Sequence, residues 1–375
     1  GARTGCVRGA DGGNGENSSG VDGTAAGEIG GCAMSMRRPW LLPLAPVYGA
    51  ALAMKRRLFQ LGWLKQSRLE NPVISVGSVS AGGAGKTPMV LLLARILRHR
   101  GYAVRILTRG YKRASETTSR VEPFDDAAWQ GDEPVLLAQR SGVPVFVGAD
   151  RYEAGVMAEQ EEASNKLVVH LLDDGFQHRR LARDVDIVLL TQADVEDTLL
   201  PAGNLREPLS AIADADVVVV REEEAASLRS VVAGLSRDKK VPAIWVIRRS
   251  LSLGEAGEVA LPSKPLAFCG IARPESFPKM LAAQGYEPMD TMIFPDHHAY
   301  DDGDVRRLIE RAREVDANGF VTTEKDAVKL TPILQDHLAT IGPVVVARLW
   351  MELVDEQESL SQLVTMVGRL DRRKH

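Results

Sequence analysis

Ser80-Ala-Gly-Gly-Ala-Gly-Lys-Thr-Pro88 follows the short apolar run Pro72-Val-Ile-Ser-Val76 and opens a strongly apolar segment from Met89 to Leu97. Strand, glycine-rich turn and helix, in that order, are the context in which such a stretch cradles nucleotide phosphates. Gly82, Gly83 and Gly85 let the backbone wrap closely around phosphate oxygens and aim successive N–H groups at them. Ser80 and Ala84 complete the expected cradle for ATP. Lys86 is placed to neutralise the β- and γ-phosphates, and the Thr87 hydroxyl to ligate Mg2+. Pro88 falls in the first helical turn, where its missing N–H costs nothing. The strict motif has glycine where this chain has Ser80. A glycine-rich turn that only joins strand to helix is the bland alternative, and the Lys-Thr directly after it speaks against that.

From Asn71 onward, short β-branched runs alternate with helical segments, which predicts an α/β fold: a P-loop NTPase-type, mostly parallel sheet flanked by helices. Strands are expected at Val73–Val76, Val104–Leu107, Val143–Val147, Leu167–Leu172, Val185–Leu190, Val217–Val220 and Ile244–Ile247. Their continuous apolar character fits strands covered on both faces. A helix over Thr87–Arg100, stopped by Gly101, completes the first βαβ unit. The Gly-, Ser- and Pro-rich stretch 254–265 reads as a hinge between a nucleotide-binding core over 71–253 and a smaller C-terminal α/β unit over 266–375. In that unit, strands are expected at Leu266–Cys269, Gly319–Thr322 and Val344–Leu349, and helices at Phe277–Gln284 and Gly303–Val315.

The composition is that of an ordinary globular protein, and a formal net charge of −4 argues against nucleic acid as the main partner. Cys6, Cys32 and Cys269 are few and far apart, which predicts free thiols in a reducing compartment rather than a disulfide or zinc framework. Residues 1–33 have almost no large apolar side chain and are expected to be a disordered extension, with the functional chain starting near Met34 or Met36. They lack the apolar run of a secretory signal peptide. The following segment, 34–70, is apolar with basic flanks, but Trp40 to Met54 is interrupted by Pro43 and Pro46 and falls short of the ~20 residues of a spanning helix. Val47, Ala50, Ala51, Met54, Leu58 and Leu61 keep helical spacing on one face. With Lys55-Arg-Arg57, Trp40, Tyr48 and Trp63, the segment suits the headgroup region of an anionic membrane. A terminal helix packed on its own domain is the other reading.

Several further motifs bear on chemistry. Leu171-Leu-Asp-Asp-Gly-Phe-Gln-His178 lies at the carboxyl end of an expected strand, where a P-loop fold places a second Mg2+-handling carboxylate. Asp173 and Asp174, adjacent there, repel each other unless a cation or strong donors sit nearby. Gln177 and His178 either orient a phosphate or metal-bound water or belong to a turn. Arg109, in Thr108-Arg-Gly-Tyr111, ends the second strand on the same rim as the phosphate loop. Gly131-Asp-Glu-Pro134 precedes a helix, and read locally Asp132 or Glu133 is foremost an N-terminal cap. Arg206 and Glu207 stand among the helix breakers of Leu200-Pro-Ala-Gly-Asn-Leu-Arg-Glu-Pro208, in a surface turn or with the arginine near the phosphates. Asp296-His297-His298 lacks a third ligand at zinc spacing and suits an acid/base pair better. Thr323-Glu-Lys-Asp326 is a solvated turn or a lock between domains.

Taken in order, Gly82-Gly-Ala-Gly-Lys-Thr-Pro88, Arg109-Gly-Tyr111, Gly131-Asp-Glu-Pro134, Asp173-Asp-Gly-Phe-Gln-His178, Leu200–Pro208, Asp296-His297 and Thr323-Glu-Lys-Asp-Ala-Val328 resemble the tetraacyldisaccharide 4′-kinase (lipid A 4′-kinase) family, from about Met36 to the end of the chain. In that family Ser or Thr stands at the position of Ser80. The resemblance implies ATP-dependent phosphorylation of the 4′-hydroxyl of a tetraacyl disaccharide 1-phosphate, with the enzyme on the cytoplasmic face of the bacterial inner membrane. It also implies that Asp132 is the catalytic carboxylate, displacing the cap reading, that His297 is its partner, and that Asp173 and Asp174 are the acidic pair near Mg2+. Lys86 joins the catalytic set, and Arg109 and Arg206 the nucleotide-binding one. The chain departs from the family in having Ser78 for Asn, Asn204 for Pro, and no Gly-Asn loop in Thr191–Thr198. The last departure bears on the geometry around Arg206. The rival expectations are a P-loop switch or metallochaperone-like NTPase acting on a protein partner, and a kinase or ligase of a soluble metabolite.

Overall fold

Sheet order, more than any single element, determines where the motifs meet. In the computed structural model, which describes residues 38–162, 166–236, 241–254 and 260–371, twelve strands form one sheet. They are β1 (Val73–Ser78), β2 (Ala103–Thr108), β3 (Ser119–Val121), β4 (Val145–Val147), β5 (Val168–Asp173) and β6 (Val185–Leu189). After these come β7 (Val217–Arg221), β8 (Ala243–Leu253), β9 (Pro265–Cys269), β10 (Asp290–Ile293), β11 (Gly319–Thr323) and β12 (Val344–Leu353). The order across the sheet is β10-β9-β11-β12-β8-β7-β6-β1-β5-β2-β4-β3. The expectations for residues 1–33, for a start near Met34 or Met36, for Cys6 and Cys32, and for part of the 254–265 stretch lie outside the described residues.

β1 is buried along its whole length, as its apolar run requires of a strand covered on both faces. It lies parallel between β5 and β6, with Val76 opposite Asp173 and Ser78 opposite Leu189. β2 lies parallel on the far side of β5, with Leu107 opposite Leu172. The carboxyl ends of β1, β5 and β2 therefore emerge on one rim, where open parallel sheets bind ligands.

β8 runs well past the expected Ile244–Ile247. Its first half pairs parallel with β7, from Val217↔Ala243 to Arg221↔Ile247, and its second half pairs antiparallel with β12, from Leu353↔Ile247 to Ala347↔Leu253. β12 in turn pairs parallel with β11, from Phe320↔Val344 to Thr323↔Ala347. A two-stranded antiparallel ribbon thus joins two parallel blocks, an N-terminal one around β1 and a C-terminal one around β9. The far half of β8 is only partly buried, so it lacks the unbroken apolar run that marks its first half.

The main core packs Met89, Val90, Leu93 and Leu97 of the helix Lys86–His99 against Ile74, Val76, Ile106 and Leu171. Leu360, Leu363 and Val367 of the final helix, Glu356–Asp371, join this same cluster. The C-terminal block has its own core, including Leu266, Phe268, Leu308 and Phe320.

Ahead of β1, a 3-10 turn (Pro39–Leu44) leads into the helix Ala45–Gln60, and neither contains a buried residue. Trp40, Met54 and Trp63 are 73%, 66% and 78% exposed. Polar contacts tie the helix down instead: the Tyr48 hydroxyl donates to the Arg206 carbonyl at 3.1 Å, and Arg56 pairs with the buried Glu207 at 2.5 Å. The segment is held in place while its large apolar side chains point outward. Among the described residues, no helix is long and apolar enough to cross a membrane.

Candidate active site

The phosphate loop leaves the end of β1 in the strained form that only glycine adopts freely, with φ of 78°, 67° and 93° at Gly82, Gly83 and Gly85. It ends at the first turn of the helix Lys86–His99, whose free N–H groups face the loop. Ser80 and Ala84 are buried, as is Thr87 at the helix start. Ser78 turns out to brace the loop: its hydroxyl donates to the Ser80 carbonyl at 2.8 Å and lies 3.4 Å from the Lys86 ammonium. That ammonium also lies 3.4 Å from Asp174.

Asp173 and Asp174 sit side by side in very different settings. Asp173 is buried; the Thr108 hydroxyl donates to its Oδ2 at 3.2 Å, and its Oδ1 has no hydrogen-bond partner. Burial, then the charges of Glu133 and Asp174, push its carboxyl up to about 7 against the pull of Lys86 and Lys325. Asp174 has a φ of 50° and receives a two-pronged contact from Arg206, at 2.9 and 3.0 Å. Burial raises its carboxyl, but Lys86 and Arg206 outweigh that and hold it below its ordinary value. The orphaned, buried Asp173 oxygen is one that a Mg2+ ion would satisfy. Among the described residues no group of three or more His, Cys, Asp or Glu gathers to hold a metal alone.

Arg206 spends its whole fork inside the protein, on Asp174 and on the Ser80 carbonyl at 3.0 and 3.2 Å. The structure therefore makes it a brace between β5 and the phosphate loop rather than a free cation aimed at phosphates. Asn204 is integrated too: its carbonyl accepts from the Ala81 N–H at 2.9 Å, and its side-chain amide donates to Asp197 at 2.8 Å. The Thr191–Thr198 segment thus supports the Arg206 turn without a Gly-Asn loop. Arg109 stands exposed at the end of β2. Gln177 donates to the Ser78 carbonyl at 2.8 Å, and burial together with the Arg151 charge pushes His178 down to about 4.

Asp132 opens the helix Asp132–Ser141 and is buried. Its Oδ1 accepts from the adjacent Glu133 N–H at 2.9 Å, and its Oδ2 lies 2.8 Å from His297 Nδ1, 165 residues away in the chain. Burial works to raise the Asp132 carboxyl, but the hydrogen bond and charge of His297, with Lys325 and Lys329, hold it below its ordinary value. The same hydrogen bond raises the His297 imidazole against burial. His297 has a φ of 60°, and its ring meets Tyr111 edge-on at 5.4 Å. His298 faces elsewhere, 2.7 Å from Asp304.

What holds His297 is the Thr323–Asp326 cluster. Asp326 is fully buried and accepts from the Gly270 N–H at 3.0 Å, the Tyr300 hydroxyl at 3.0 Å, Thr323 at 2.6 Å and Lys329 at 2.8 Å. The Gly270 carbonyl accepts from the His297 N–H at 3.3 Å. Lys325 pairs with Glu133 and Glu324 with Arg140, so the two parallel blocks are pinned beside Asp132. Sequence reading had Glu133 only as a cap and Lys325 only within a solvated turn or lock between domains, and it missed the buried Arg151, which burial and the charge of Arg109 push down to about 10.

Residues 37–368 match the family described as tetraacyldisaccharide-1-P 4′-kinase. A tetraacyldisaccharide 4′-kinase of Koribacter versatilis is 38% identical over 87% of this chain and 98% of its own length. One of Aquifex aeolicus is 36% identical over 79% of this chain and 90% of its own length. The crystal structure of the "apo" form of Aquifex aeolicus LpxK in complex with ATP superposes with a TM-score of 0.67 at 31% identity, covering 88% of this chain and 98% of that one.

Proposed function

Since the chain belongs to the tetraacyldisaccharide-1-P 4′-kinase family, we infer that it transfers the γ-phosphoryl group of ATP to the 4′-hydroxyl of a tetraacyl disaccharide 1-phosphate, giving the 1,4′-bisphosphate of lipid A biosynthesis. The observation that supports this reading best is the 2.8 Å contact between Asp132 and His297, set beside a phosphate loop and an orphaned carboxylate. A sugar hydroxyl needs a base to take its proton as the oxygen attacks phosphorus, and this pair can supply one.

In this mechanism the loop amides from Gly82 to Thr87 and the Lys86 ammonium bind the phosphates. Thr87 and Asp173 would hold Mg2+, with Asp174 poised beside them and positioned by Arg206. The ion, when bound, neutralises charge on the β- and γ-phosphate oxygens. Asp132, ionised because His297 and Lys325 favour its charge, accepts the hydroxyl proton at Oδ2, and His297 orients it. The base contributes about 10²–10⁴-fold, and positioning and electrostatics supply most of the rest. The proposed domain limits are a core over 71–253, a hinge at 254–265 and a C-terminal unit over 266–375, whose final helix Glu356–Asp371 packs back onto the core.

The exposed Trp40, Met54 and Trp63 would seat the helix Ala45–Gln60 at the cytoplasmic face of the inner membrane, so that the acceptor's acyl chains stay in the bilayer. Incubation with ATP, Mg2+ and the tetraacyl disaccharide 1-phosphate tests the reading. It expects the bisphosphate as product and none from the Asp132→Asn protein. Hydrolysis of ATP without lipid phosphorylation would overturn it.

A further inference from the structure

The loop that follows β9 lies against the outside of the phosphate loop. A Cβ placed on Gly82 would stand 3.0 Å from the Ala272 methyl, and one placed on Gly83 would stand 2.8 Å from both Cδ and Nε of Arg273. The phosphate-loop motif itself demands glycine only at its two ends, not at position 83. Glycine is needed there because φ is 67° and because the Arg273 stem occupies the space of a side chain.

The guanidinium of Arg273 has a weak partner. Its Nη2 lies 3.5 Å from Asp194 Oδ1, a buried oxygen with no hydrogen-bond partner. Asp194 is fixed by its other oxygen, which accepts from the Thr191 N–H at 2.9 Å. The cation is thus parked beside the phosphate loop rather than locked into the fold. It also moves with the catalytic pair, because Gly270, three residues earlier in the same loop, is bonded through its carbonyl to the His297 N–H. One rigid loop set of the C-terminal block therefore presents an imidazole to Asp132 and a guanidinium to Gly83.

We propose that Arg273 is a catalytic residue: an arginine finger supplied in cis, which leaves Asp194 and pairs with the oxygens of the phosphoryl group in transfer. This rests on the kinase reading. As the bond from phosphorus to the ADP oxygen breaks and the bond to the sugar oxygen forms, charge spreads over the equatorial oxygens, and a planar guanidinium can engage two of them at once. Arginines acting in this way elsewhere contribute about 10³–10⁵-fold to turnover.

The test measures phosphoryl transfer to the tetraacyl disaccharide 1-phosphate and, separately, equilibrium binding of Mg-ADP and of a non-hydrolysable Mg-ATP analogue. Arg273→Ala should lower kcat by roughly 10³-fold or more. ADP affinity should stay within about twofold of the parent, while affinity for the analogue falls by about tenfold, one charge-assisted contact's worth. Arg273→Lys should restore only a small part of kcat, because an ammonium lacks the fork. Asp194→Asn, which keeps the oxygen that accepts from Thr191, should leave kcat within about threefold of the parent. The proposal is overturned if Arg273→Ala keeps kcat within that same margin. Equal weakening of ADP and analogue, or an Asp194→Asn loss as large as that of Arg273→Ala, would overturn it too, since either marks a structural latch between the blocks. Failure of the parental protein itself to phosphorylate the lipid would sink the kinase reading instead.

Discussion

Replacing His297 with alanine removes the one side chain that joins the C-terminal block to the buried Asp132 carboxylate by a direct hydrogen bond. The contact is 2.8 Å long and charge-assisted, and bonds of that kind contribute about 1.5–3 kcal/mol. If that energy serves to hold Asp132 in its reactive orientation, kcat should fall by roughly 10- to 150-fold. The pH dependence gives a second, independent sign. Burial raises the Asp132 carboxyl and His297 is the largest influence lowering it, so without the imidazole the balance tips upward. A base must be unprotonated to act, so the acidic limb of the kcat profile should move to higher pH. Steady-state transfer at saturating ATP across the acid range measures both effects, with equilibrium nucleotide binding as a control that should stay unchanged. Combined with Asp132→Ala, the double variant should be little worse than the more impaired single one, because groups acting as a unit are non-additive on removal. Additive losses, or an acidic limb that stays put or moves to lower pH, would refute the pairing.

Lys86→Ala should abolish transfer while leaving the thermal midpoint near that of the parent, since the ammonium serves phosphate charge and makes only 3.4 Å contacts to Ser78 and Asp174; circular-dichroism melting and product assay check this together. The triple change Trp40→Ser, Met54→Ser and Trp63→Ser removes three side chains that bury nothing in the fold, so it should weaken sedimentation with anionic vesicles without lowering the melting midpoint; unchanged vesicle binding would count against the membrane-facing role. Leu93→Ala, in the fully buried face of the helix that follows the phosphate loop, should cost about 2–5 kcal/mol in urea unfolding.

Within the chain, local chemistry was enough to read the first βαβ unit, the phosphate loop and the carboxylate pair after β5. Continuous apolar runs mark doubly covered strands, and the loop's glycines and Lys-Thr are contiguous. The same reading put β8 at Ile244–Ile247, because the outer half of that strand is a ribbon that is only partly buried and so lacks the apolar run. β10 and the final helix Glu356–Asp371 were missed for similar reasons: β10 has no buried residue, and the final helix shows only an ordinary amphipathic pattern.

The sequence alone determined that this protein binds nucleotide phosphates on a mainly parallel sheet, because those residues act with their immediate neighbours. Tertiary structure decided which group faces the Asp132 carboxylate. Read locally it is a helix cap, and only the approach of His297, brought from 165 residues away and held by the buried Asp326, gives its carboxylate a partner. The same holds for Arg206, which looked like a phosphate ligand and is a brace on Asp174, and for Arg273, which no motif marks. A side chain's charge can be read from the sequence, but whether that charge is spent on the protein or kept for a substrate depends on which distant groups the fold sets against it.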